Sequence, residues 1–251
     1  IKGMAAAGRR LERPDWIDSA ERALEYLYRS HWRDGRLLAS SRDGHAQLNA
    51  YLDDYAYLID AILELLQARW NSTWLGFARD LAGRLLAHFE DAENRGFYFT
   101  TDDHEALVLR PRPLADDAMP RGNAVAAEAL QGLALLSGEP VWQDAAQRTI
   151  RAAWSSLQRA PYAHVGLLEG LRQTLEPPEQ LLVRGEPIEL ASWQRAAGAT
   201  YVPARSVFAI PAQASDLPQA LSAKRAEPGR TLAYRCVGMH CQLPFDSPEL
   251  L

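Results

Sequence analysis

The sequence predicts a mainly α protein, an incomplete (α/α) toroid of helical hairpins followed by a small α/β appendage. Three observations predict it. A Trp-x-x-x-Ala signature recurs at Trp16/Ala20, Trp74/Ala78 and Trp142/Ala146, with spacings of 58 and 68 residues, the mark of a repeated unit. One-faced helices alternate with helices that are apolar or small on nearly every side. The pattern then changes after Glu176, where Pro177-Pro178 breaks the helical run.

After each Trp the apolar residues continue at helical period: Ala23, Leu24 and Leu27; Leu81, Ala82, Leu85 and Phe89; Ile150, Ala153 and Leu157. Asp15, Ser72 and the Glu139-Pro140 pair stand where an N-cap or first-turn proline belongs. Between them lie Tyr55–Leu66, Asn123–Leu136 and Val165–Leu175, whose all-round apolar character marks buried helices. Alternation of the two kinds implies an inner layer covered by an outer one. Residues 1–11 read as the tail of a first inner helix that enters without a preceding Met, as if cut from a longer chain. About three and a half hairpins result, too few to close a ring of six.

The outer-to-inner links, Trp32–Leu52 and Asp91–Arg121, are long, whereas inner-to-outer links such as Ser137-Gly138 are short. The long ones carry strand-like runs, Gly35–Ala39 and Gly96–Thr101, and turn signals at Arg33-Asp34-Gly35 and Arg42-Asp43-Gly44. Long loops gathered on one side commonly build a site. In the tail, Gln180–Val183, Ser206–Ile210 and Leu232–Cys236 read as strands, with helix at Pro187–Ala197 and near Leu217–Ala223. The organisation expected is hairpins over residues 1–176 and a small α/β unit over 177–251.

A content of 47% hydrophobic and 24% charged residues suits a soluble globular chain, and a formal charge of -5 supplies no basic field for nucleic acid or an anionic membrane. Apolar runs fall far short of the ~20 residues a spanning helix needs. Two cysteines, Cys236 and Cys241, fit a reducing cytoplasm and read as a structural pair of thiols, with a disulfide or zinc as lesser alternatives. Arginine far outnumbers lysine, as in a GC-rich bacterial genome. No metal or cofactor is expected: no glycine-rich phosphate loop, nucleophile elbow or zincin motif occurs.

Chemistry is best placed where long links enter the inner helices. Asp53-Asp54 precede Tyr55, and Asp116-Asp117 precede Met119-Pro120-Arg121-Gly122-Asn123. Carboxylates at the N-terminal ends of inner helices would converge on a central cavity, where two of different pKa serve as general acid and base. The competing role is helix capping. Asp54, Asp116 and Asp117 are thus the catalytic candidates, with Tyr51, Asp53, Arg121 and Asn123 as substrate-binding candidates. Tyr51, Tyr55, Tyr57, Phe97 and Tyr98 would either stack on sugar rings or pack the loop bases. Asp102-Asp103-His104-Glu105 reads as a solvated turn, and Arg110 and Arg112 as exposed loop arginines.

The segments LNAYLDDYAYLIDAILEL, NRGFYFTTDDHEALVLRPRPLADDAMPRGNAVAA and AYRCVGMHCQLP together resemble the C-terminal part of the YyaL, or spermatogenesis-associated protein 20-like, thioredoxin-domain family. The resemblance implies a six-hairpin glycosidase-like barrel, distantly similar to the N-acylglucosamine 2-epimerase group, of which this chain would be the second half plus the family's tail. Asp54 matches the family's L-E-D-Y-A-like motif, and Asp116, Pro120, Gly122 and Asn123 match its D-x-A-x-P-S-G-N-like loop, with Arg121 in place of a small Ser. Partners so implied are a small sugar-like ligand, an upstream thioredoxin-like domain and the remaining barrel hairpins. The function expected is a glycosidase- or epimerase-like barrel that binds or processes carbohydrate, the alternative being a non-catalytic scaffold or ligand-binding domain serving the upstream domain.

Overall fold

A computed structural model describes residues 1–105, 108–202, 204–226 and 229–250. In chain order its elements are α1 (Lys2–Arg10), α2 (Pro14–His31), β1 (Trp32–Arg33), β2 (Arg36–Arg42), β3 (His45–Asn49), α3 (Leu52–Ala68), α4 (Ser72–Phe89), α5 (Gly122–Ser137), α6 (Pro140–Ala152), α7 (Trp154–Arg159) and α8 (Val165–Leu175). The tail adds β4 (Glu179–Gly185), α9 (Pro187–Ala199), β5 (Arg205–Pro211), α10 (Gln219–Ser222), β6 (Leu232–Val237) and β7 (His240–Cys241). None of the helices is long and apolar enough to cross a membrane.

Helices α1, α3, α5 and α8 stand side by side as an inner row, with α2 packed on α1, α4 on α3 and α6 on α5. The repeated signature explains the outer layer: Ala20, Ala78 and Ala146 are buried, so the outer helices approach the inner row closely, and Trp74 and Trp142 fill the grooves beside them. Inner helix α5 is buried along almost its whole length, its alanines admitting close neighbours while Leu130, Leu133 and Leu136 fill the core. Gly138 ends it in the left-handed region (φ 75°), returning its N–H to the Ala134 carbonyl at 2.8 Å, a termination that favours glycine.

The long link after α2 is a three-stranded antiparallel sheet, β1-β2-β3. Both of its turns are two-residue: Asp34-Gly35 and Asp43-Gly44 have φ of 50° and 73°, and 52° and 80°, as the twist of tight hairpins demands. The second link contains one bridge, Glu90 to Phe97, in place of the strand expected over Gly96–Thr101. Its backbone pairs instead with α5 through Asn123, described below. Helix α4 is capped by Asn71, whose Oδ1 accepts the Thr73 N–H at 2.9 Å, rather than by Ser72, and Arg13 rather than Asp15 holds the N-cap position of α2.

The tail sheet runs β5-β4-β6-β7, with β4 and β5 parallel across α9 and the other pairs antiparallel. Period-2 alternation divides it. Leu182, Phe208, Ile210 and Cys236 join the core of the helical hairpins, whereas Leu181, Val183, Val207, Ala209 and Ala233 are covered by Leu190, Trp193 and Ala197 of α9. Gln67 of α3 ties the two parts together, its Oε1 accepting the Val207 N–H at 3.2 Å and its carbonyl the Gln194 amide at 2.9 Å. Cys236 and Cys241, opposite one another across β6 and β7, form a disulfide rather than the pair of thiols expected. The hairpin register brings them together, which their separation in sequence alone does not reveal.

Candidate functional site

At the N-terminal ends of the inner helices the sequence-predicted carboxylates diverge in role. Asp54 closes a capping box on α3, its Oδ2 accepting the Tyr51 N–H at 2.8 Å. Burial raises its pKa against that hydrogen bond. Asp116 joins two helix starts: Oδ1 accepts the Arg121 N–H at 3.0 Å at the head of α5, and Oδ2 the Gly166 N–H at 2.9 Å at the head of α8. Asp117 is exposed, accepting the Ala118 N–H and the Arg121 guanidinium, each at 2.9 Å. Asn123 is fully buried and bonds three main-chain groups, accepting the Phe97 N–H at 2.8 Å and donating to the Phe97 and Pro113 carbonyls at 2.9 and 3.0 Å.

Asp53 differs from these. Its Oδ1 is buried against Gly122, where an added Cβ would lie 2.2 Å away. Burial raises its pKa, opposed by the nearby Gly122 N–H and the Arg121 charge. Tyr57, one turn on, donates its hydroxyl to the Pro120 carbonyl at 2.6 Å. Burial, and then the charges of Asp53, Asp116 and Asp60, raise the Tyr57 pKa. The Tyr51 ring stacks on Phe99 at 4.8 Å, while Tyr55 is buried and accepts the Leu37 N–H. Most of the aromatic cluster therefore packs the loop bases.

Two cavities flank the inner row. Asp53, Asp54 and Tyr57 line one of about 440 Å³, together with His31, Ile1, Lys2 and apolar side chains of α2, β2 and α3. Asp116 and Asp117 do not line it. The other, about 500 Å³, lies on the concave face of the row and reaches the tail at Gln180 and Arg205. Asp60, Glu64, Glu128 and Glu169 line it with Lys2, Arg9 and Arg172. Three of the acids are paired: Lys2 with Asp60 at 2.7 Å, Arg9 with Glu64 at 2.6 Å and Arg172 with Glu169 at 2.5 Å. Glu128 has no hydrogen-bond or ion-pair partner among the described residues. Burial above all, then the charges of Asp60 and Glu169, raises its pKa to about 7.

Sequence reasoning missed this face because it read α3 and α5 as apolar all round. Two signals were available. Asp53, Tyr57, Asp60 and Glu64 recur at helical spacing along α3, and Glu128 is the sole charged residue of α5.

The loop arginines are engaged locally. Arg110 lies 4.2 Å over the Tyr98 ring and donates to the Thr100 carbonyl, and Arg112 pairs with Asp91 at 3.3 Å. The turn read as solvated gains a partner from α4: His88 Nδ1 meets Asp102 Oδ1 at 2.9 Å, and ligand atoms of His88, Asp102 and Asp103 lie within 4.8 Å of one another. Arg36 already pairs with Asp103 there.

An inner row of helices backed by an outer row, with loops and carboxylates at the N-terminal ends of the inner row, defines the class: a mainly α domain of (α/α) hairpins. Its sequence relatives place the chain among the homologues of spermatogenesis-associated protein 20. It is 24% identical to that protein from Homo sapiens and 25% identical to that from Mus musculus, each over 267 residues and 99% of this chain. The chain spans about a third of the length of these relatives. No protein-family model matches it. Among solved structures, cellobiose 2-epimerase from Bacillus thermoamylovorans superposes with a TM-score of 0.49 at 15% identity, over 60% of this chain and 41% of that one. A GH76 alpha-mannanase from Bacteroides thetaiotaomicron gives 0.45 at 16%, over 61% and 41%. With both scores below 0.5, the fold rests on the hairpin packing itself.

Proposed function

We propose that the domain binds and processes a carbohydrate-like ligand on its concave face, with Glu128 as the group that exchanges a proton. The observation that carries this reading is the single unpartnered carboxylate in a cavity whose other acids are ion-paired. A carboxyl titrating near neutrality is matched to general acid or base work, and fixed ion pairs around it suit a ligand rich in hydroxyl groups. Asp54, Asp116 and Asn123 act here as positioning residues, fixing the helix starts and loops that carry the cavity walls. Asp117 and Arg121 contribute an exposed charged pair near the same helix entry.

A second reading is a non-catalytic scaffold attached to an upstream thioredoxin-like domain, favoured by the engagement of Asp54, Asp116 and Asn123 with main-chain groups. A thermal-shift screen against neutral, amino and acidic sugars, run on the chain and on Glu128→Gln, separates the two. A sugar that raises the Tm of the parent by several degrees and leaves the variant unmoved supports the first reading. No shift with any sugar refutes it in favour of the scaffold.

A further inference from the structure

The concave-face cavity has two chemically unlike ends. Along α1 its lining runs from Lys2, beside Asp60 and Glu128, to Arg10. Residues 2 and 10 of one helix stand about 12 Å apart at about 1.5 Å per residue. At the Arg10 end the wall is the tail. Gln180 and Ser206, register partners on β4 and β5, alternate onto the face of the sheet that turns Leu182, Phe208 and Ile210 toward the helices. Both line the cavity, and neither side chain makes a hydrogen bond among the described residues. Gln180 is only 3% exposed, so its amide is left to whatever fills the cavity. Arg10 likewise pairs with no carboxylate among the described residues, its guanidinium lying 5.7 Å over the Tyr201 ring. The other cations of the lining are held: Lys2, Arg9 and Arg172 as above, and Arg205 by Glu179 at 2.7 Å.

Resting on the Glu128 reading above, we infer that the ligand is an acidic saccharide of at least two units, its carboxylate bound at the tail end by Arg10, Gln180 and Ser206. A guanidinium, an amide NH2 and a hydroxyl all donate, and an ionised carboxylate only accepts. Stacking on Tyr201 steadies the plane of the Arg10 guanidinium and leaves its N–H edge for the ligand. The span of about 12 Å is longer than one pyranose ring. The unit that meets Glu128 and the unit that carries the carboxylate are therefore different, and a cavity of about 500 Å³ is large enough for both. A neutral saccharide would leave Arg10 without a counter-charge, and an amino sugar at that end would set one cation against another.

The test is calorimetric titration at pH 7 with two matched pairs, maltose against maltobiouronic acid and gentiobiose against gentiobiouronic acid, each acid carrying its carboxylate on the non-reducing unit, and with glucuronic acid alone. At least one disaccharide acid is expected to bind about tenfold or more tightly than its neutral counterpart and than glucuronic acid. Arg10→Gln, at an exposed position, should bring that acid down to the affinity of its neutral partner and leave the neutral one unchanged. Gln180→Leu should weaken the acid several-fold without lowering the Tm, because the amide it removes bonds nothing in the folded chain. A fall in Tm with acid affinity intact would make Gln180 structural and overturn its role. Equal binding of acid and neutral partners, or a preference that survives Arg10→Gln, would overturn the inference while leaving the Glu128 reading standing. Failure of every saccharide to bind would remove both.

Discussion

Replacing Asn123 by Ala should destabilise the chain by about 3–5 kcal/mol without changing its helical content. The magnitude follows from the three main-chain bonds its side chain makes to Phe97 and Pro113 in a fully buried setting. Each such bond contributes about 1 kcal/mol net, and each group left unsatisfied adds part of a desolvation penalty of about 1–3 kcal/mol. The Phe97 N–H bonds the Asn123 Oδ1 and no other acceptor among the described residues, so the substitution leaves it unpaired. Urea unfolding of parent and variant, compared at equal m-value, measures the difference. Against a typical stability of about 5–15 kcal/mol the shift in midpoint is large. A loss below about 1 kcal/mol would refute the clamp and return Asn123 to the role of a ligand-positioning residue.

Other expectations follow from the same geometry. Glu128 has a folded pKa near 7 against an ordinary 4.5, so the folded state holds its proton more tightly and the group opposes folding progressively as pH rises from about 4.5 through 7. Glu128→Gln should therefore stabilise the chain at pH 8, by at most about 3 kcal/mol, and have little effect at pH 4, as Tm against pH will show. Asp116→Ala removes acceptors from the Arg121 and Gly166 amides. Hydrogen exchange at the first turns of α5 and α8 should accelerate together, and acceleration in only one helix would contradict the shared cap. Cys241→Ser opens the disulfide across β6 and β7 and should lower stability by about 2 kcal/mol for so short a loop, read by thermal unfolding of oxidised parent against variant.

Periodicity made the hairpins legible because burial acts residue by residue along a helix. Val165–Leu175 was delimited from its apolar pattern alone, and the parallel strands of the tail from their short apolar runs. The site was harder to read for a related reason. Asp54 and Asp116 stand at helix starts, where a cap and a catalytic acid have the same sequence signature, and only the Tyr51 and Gly166 amides show that both are caps. Asp60 and Glu128 escaped notice because a single polar position in a long apolar run looks like an exception rather than a wall.

Gln67 has a consequence for solubility. Strand β5 is the flank of its sheet, and a flank with free amides is a template for a strand from another molecule. The Gln67 side chain occupies the Val207 amide near the middle of that strand, and α3 lies alongside. A foreign strand would have to displace a side chain rooted in the inner row before it could pair at Val207. A glutamine in the inner row thereby guards the tail against cross-chain assembly, and Gln67→Leu would leave the fold packed but its flank open to aggregation.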